Sequence, residues 1–469
     1  MKKLTTALLV FCACAFAEAP SAVAIRNAKI VTVSGPVIDK GTVVVRHGLI
    51  EAVGENVPVP ADAWVVDGEG MTVYPGLIDS LSTVGMPGAV PAAAATGGRG
   101  GGRGQTAPPT PAAPTAPAAA TTATVERARG PEDRPSTTSW LIAADELQAT
   151  DRRIETVRGS GITTAATFPT RGIFGGQGSI IDLLSGEKAG EMVLVPSVGQ
   201  YISLSRGGGG GGGGMGGGFP SALMGVISYI RQIYLDAAHY QLVKDAYAKD
   251  PRGMERPQYD RALEGVLESK RILLPANRLV EIDRMLRFAA ELKQPAILYG
   301  VRESYRPEAA DLLKKSGAPV LVSMRWPEPS RDANPDDVDS FRTLETRDKA
   351  ASAPAVLQKA GVKFALYSDG LDQPRDIQRA VKKAIDSGLS REDALRALTL
   401  SPAQIYGVAD RVGSIEKGKI ANLIVTKGEL FDDRTRIEMI FVDGKKYTPA
   451  ADATPSGRGP ATDGPGANQ

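Results

Sequence analysis

The chain has 469 residues, enough for one large barrel or two to three ordinary domains, and its 42% apolar content supports a real core. A formal charge of +2 with no long Lys/Arg run excludes an electrostatic nucleic-acid binder. Aromatic content of 5% leaves no stacking platform for single strands either.

Residues 1–24 read as a secretory leader. Lys2 and Lys3 form a basic start, residues 4–16 are a short apolar run, and Ala15-Phe16-Ala17 fits a small-x-small cleavage site. Ala22-Val23-Ala24 offers a second site. The run is too short to span a bilayer as a stable anchor. Both cysteines, Cys12 and Cys14, lie inside it, so cleavage leaves no disulfide, thiol nucleophile or thiolate ligand. A lipoprotein anchor at Cys14 is the alternative, disfavoured by Phe11 where leucine is usual. The expectation is an exported protein, periplasmic or extracellular.

Residues 25–74 read as short β-strands punctuated by glycine. His47 sits in an Arg-His-Gly turn there, and a turn role is expected of it. Residues 87–135 are rich in Ala, Pro, Gly and Thr and are expected to be a disordered insertion. A helix–strand rhythm begins at Ser136. Residues 143–159 have helical spacing; 162–168, 179–184 and 192–196 are apolar β runs. Residues 206–219 are almost pure glycine and lack the Gly-Lys-Ser/Thr ending of a phosphate-binding loop, so a second disordered insertion is expected. A long helix follows over 221–249, carrying His239 as a packed or solvated side chain.

Strands and helices then alternate. Strands are expected at 271–276, 296–300, 319–324 and 362–368, and helices between and after them. Ser390 with Asp393 marks a capping box. Counted from Leu77, about eight apolar runs suit a (β/α)8 barrel over 75–410, because parallel strands are buried on both faces. A doubly wound open sheet is the alternative. After Gly413 the texture returns to β, so 25–74 and 411–447 are expected to build one composite β-sandwich domain. The tail, 448–469, reads as disordered.

Two stretches resemble the amidohydrolase superfamily, in its imidazolonepropionase-like and related branches. One is AKIVTVSG…GLIEAVG…VVDGEGMTVYPGLID; the other is LTLSPAQIYGVADRVGSIEKGKIANLIV. GITTAATFPTRGIFGGQGSII between them is typical too. The resemblance implies a metal-dependent (β/α)8 barrel with a composite β-sandwich that hydrolyses C–N bonds in amides, lactams or ureas. It implies one or two divalent metals, zinc above all, that acidify a bound water. It also implies a homo- or hetero-oligomer with an amidohydrolase relative.

Carried onto this chain, the family's Asp-x-His-x-His falls on residues 79–83, which puts Leu81 and Thr83 at two histidine positions. The fourth strand, read as 192–196, has no lysine. The fifth-strand histidine falls on Pro275 and the sixth near Tyr299 or Gly300. Asp369, in YSDG, is the matching position, and so the candidate catalytic residue and metal ligand. With His47 and His239 as the only histidines, the usual binuclear zinc-type site is expected to be missing.

Other chemistry has few candidates. Ser185 with Lys188 and Ser414 with Lys417 match a Ser-x-x-Lys spacing in turn-like contexts, and Asp369 could pair with Glu303 or Asp79. Three readings result: a pseudoenzyme that binds a small molecule or a partner at the barrel mouth, a C–N hydrolase with a single-metal site on Asp369, and an envelope-associated protein acting through its insertions.

Overall fold

A computed structural model describes residues 22–87, 134–204, 219–329, 338–432 and 435–449. The expected leader up to residue 21, insertion residues 88–133 and 206–218, and tail residues 450–469 lie outside the described residues.

The described residues begin with five strands: β1 (Ala22–Ile30), β2 (Ile38–Arg46), β3 (Leu49–Gly54), β4 (Ala63–Asp67) and β5 (Thr72–Pro75). His47 and Gly48 join β2 to β3 with φ of 50° and 79°. Two consecutive positive φ values suit a two-residue hairpin turn, which is the role the sequence suggests for His47.

The next eight strands form one sheet in chain order: β6 (Leu77–Ser82), β7 (Ile162–Thr167), β8 (Phe174–Asp182), β9 (Val193–Ile202), β10 (Ile272–Ala276), β11 (Ala296–Gly300), β12 (Val320–Ser323) and β13 (Phe364–Tyr367). Ser80 Oγ on β6 donates to Leu366 O on β13 at 2.7 Å, which draws the two edges together and nearly closes a barrel. Side chains alternate across the wall. Leu273, Ile297, Leu321 and Ala365 share one apolar cluster, while Ile272, Leu274, Leu298 and Val320 join another with the surrounding helices.

The barrel departs from eight parallel β/α units in one respect. β7 pairs with β8 antiparallel, and β8 with β9 antiparallel, so β8 runs opposite to the other seven strands. Short connections replace two crossover helices there, which antiparallel neighbours permit.

Among the described residues ten α-helices follow the same order: α1 (Arg152–Arg158), α2 (Leu223–Lys249), α3 (Arg261–Glu268), α4 (Leu279–Glu291), α5 (Pro307–Ser316), α6 (Phe341–Lys349), α7 (Ala353–Ala360), α8 (Pro374–Asp386), α9 (Arg391–Ala397) and α10 (Leu400–Tyr406). Asp151, Asp260 and Ser390 cap α1, α3 and α9 by accepting from backbone N–H groups in the first turn. The helix expected over 143–159 is thus only α1. The chain before Asp151 lies along β8 instead, with Gln177 N donating to Leu141 O and Ala143 N to Gln177 O.

Three final strands, β14 (Leu423–Lys427), β15 (Arg436–Val442) and β16 (Lys445–Tyr447), return to the first sheet. Its order is β16-β15-β14-β5-β1-β2-β3, with β4 beside β1. Asn422 fastens this sheet to the barrel: its Nδ2 donates to Asp182 Oδ1 at 2.7 Å and to Thr164 Oγ1 at 3.0 Å.

A candidate functional site at the barrel mouth

A small open depression of about 70 Å³ lies at the C-terminal strand ends. That is the end where barrel sites are built. Leu81 and Thr83 come from the end of β6, Tyr201 from β9, Tyr299 from β11, and Tyr367 and Asp369 from the end of β13. β9 extends to Ile202, beyond the expected 192–196, so its mouth end carries Tyr201, again without a lysine.

Aromatic rings form much of the floor. Tyr201 and Tyr299 stack, with centroids 5.4 Å apart and planes at 25°, and the Tyr299 hydroxyl donates to Ile202 O at 3.2 Å. Burial pushes the Tyr299 and Tyr367 phenols far above their ordinary range. They therefore stay protonated near neutral pH and cannot serve as phenolate bases.

Asp369 is enclosed by protein donors. Arg302 Nη2 reaches its Oδ2 at 3.2 Å, Ser323 Oγ donates to the same oxygen at 2.7 Å, and Arg325 Nε holds its carbonyl at 2.9 Å. Thr83 is engaged as well: Arg153 donates to its hydroxyl at 3.2 Å and to its carbonyl at 2.9 Å, while Asp151 balances the Arg153 charge. Pro275 lies within β10 beside Tyr299 in register.

The carboxylates considered together in the sequence each have separate partners. Asp79 is fully buried and accepts from Ser368. Glu303, also buried, takes both nitrogens of a fork from Arg342 and the Leu279 N–H at the start of α4. Among the described residues no group of three or more His, Cys, Asp or Glu is arranged to hold a metal. His239 is exposed on α2 and His47 in its turn, both away from the mouth lining. The Ser-x-x-Lys candidates have other partners too. Ser185 accepts from Arg158 at 2.6 Å, and Ser414 accepts from Lys419 at 2.5 Å, not Lys417.

Arg302, Ser323 and the tyrosine floor were not anticipated. Arg302 follows an apolar run by two residues, the place where barrel-mouth side chains fall, and that spacing is the signal that could have found it.

A nearly closed eight-stranded barrel with a depression at its mouth, set on a sheet made from both chain ends, defines an α/β barrel protein. Residues 289–450 match the model of the amidohydrolase family. An amidohydrolase from Thermotoga maritima MSB8 is 26% identical, with a TM-score of 0.68 over 90% of this chain and 99% of that one. A molinate hydrolase (13% identity, TM-score 0.52, 91% of this chain and 95% of that one) shares the fold. So does a prolidase solved with N-methylphosphonate-L-proline (15%, 0.50, 91% and 99%). No curated protein matches the chain. The chain is thus similar to the amidohydrolase family over residues 289–450 and shares the fold of the Thermotoga protein over nearly its whole length.

Proposed function

We propose that this is an exported amidohydrolase-fold protein whose barrel mouth binds a small organic molecule without metal-activated hydrolysis of C–N bonds. The observation that carries the reading is the donor set at the mouth. Metal-assisted hydrolysis needs several convergent imidazole or carboxylate ligands and one open position for water. Leu81 and Pro275 have no side-chain donor, Thr83 is engaged by Arg153, and Tyr299 stands on the sixth strand with its hydroxyl given to a carbonyl. The residues present do not fit the family's metal.

The reading with a single metal on Asp369 is opposed by the ion pair with Arg302, since a cation already faces that carboxylate. Tyrosine faces, hydroxyls and apolar side chains such as Leu81 suit a small molecule held by stacking and a few hydrogen bonds. Elemental analysis of the purified mature protein, beside an Asp369→Ala control and a turnover screen on amides and cyclic ureides, tests the proposal. The expected result is no stoichiometric metal and no turnover. Tight zinc or manganese that is lost in the control, together with turnover, would sink it.

A further inference from the structure

We infer that Arg302 is the resident cation of this barrel mouth, supplying from the chain itself the positive charge opposite Asp369. This rests on the proposal that the mouth works without a metal. Three adjacent strand ends converge on one residue: Arg302 beyond β11, Ser323 ending β12, and Asp369 itself beyond β13. The side chains of Arg302 and Asp369 are only 24% and 12% exposed, so each charge is largely withdrawn from water and needs the other.

The backbone is bent to bring them together. Val301, the residue before Arg302, has φ of 37°, and Asp369 has φ of 52°. A β-branched residue rarely adopts the left-handed region, and such geometry persists only where the surroundings impose it. Arg302 Nε is also buried without a partner among the described residues. A divalent ion approaching Asp369 meets a like charge already in contact with the carboxylate.

The test uses the full chain in four forms: wild type, Arg302→Gln, Asp369→Asn and the double variant, each melted with and without millimolar Mg²⁺ or Mn²⁺. Each single change is expected to lower the melting temperature by about 3 °C or more. The double variant is expected to lose less than the sum. Metal is expected to leave wild type unchanged, to raise Arg302→Gln toward it, and to do nothing for the double variant. Additive losses, or no response of Arg302→Gln to metal, overturn the inference and leave the metal-free mouth standing. Metal that stabilises wild type as much as Arg302→Gln overturns both. Should Arg302→Gln fail to fold, Arg302→Lys keeps the charge and is expected to stay insensitive to metal; a metal-dependent rise in that variant overturns the inference.

Discussion

Asp79 and Ser368 are bonded twice across the barrel seam: Asp79 Oδ1 accepts from the Ser368 N–H at 2.9 Å, and Oδ2 from its hydroxyl at 2.6 Å. The first and last strands pair no backbone ladder with each other, so these side-chain bonds, with Ser80 to Leu366, do that work. A carboxylate is suited to it because it offers several lone pairs in a fixed fork.

The seam should respond to pH. Burial pushes the Asp79 carboxyl up to about 6, against the lowering effect of its hydrogen bonds from Ser368. The folded chain then holds a proton that the unfolded chain releases near pH 4, so this stabilising contribution is complete below about pH 4 and disappears as pH rises through about 6. Asp79→Asn is expected to flatten the fall in stability over that window, measured as urea midpoints across pH. Asp182, which burial pushes up to about 7, keeps a residual slope in the variant. An unaltered profile would place the titration elsewhere.

Gly178→Ala should damage the barrel interior. A Cβ at Gly178 would stand 2.1 Å from Cε1 of Phe168, which is completely buried and cannot retreat. A loss of about 2–3 kcal/mol is expected from overpacking. Gly190→Ala, where a Cβ meets nothing within 4 Å, serves as the control in denaturant titrations and should change little.

Glu303→Gln tests a second buried charge. The variant keeps the shape but removes the charge that faces Arg342 and the N-terminus of α4. A cost of about 1–3 kcal/mol is expected, with faster amide exchange at Leu279. Unchanged exchange there would mean that the Leu279 contact does not depend on the charge.

If the leader is removed on export, β1 limits where the cut can fall. Ala22–Ala24 belong to β1, pairing with residues 44–46 of β2 and 63–65 of β4, and all three are buried. Cleavage after Ala24 would strip paired residues from the sheet, so cleavage after Ala17 is expected, leaving Glu18 first. Intact mass of the exported protein decides between them, and a chain starting at Ile25 should melt at a lower temperature.

Much of the barrel was legible because buried parallel strands read as unbroken apolar runs, as in residues 272–274 and 296–298. β8 was half hidden, because Gly175, Gly176 and Gly178 carry no side chain to signal a strand. Helix α6 was missed since none of its residues is buried, so it has no apolar stripe to detect. At the site, the sequence could name what stands at each ligand position. It could not show that Arg302 meets Asp369, because 67 residues and two strands separate them and no motif links the two.

The pairing of β5 with β14 joins residues 72–75 to residues 423–426. The first sheet to leave the ribosome therefore waits, with an open edge, for strands made some 350 residues later. Such long-range pairing is slow to form, and an unpaired edge invites association with other chains. In an exported chain this predicts that folding is completed after translocation, and that loss of the last three strands harms solubility before it harms the barrel.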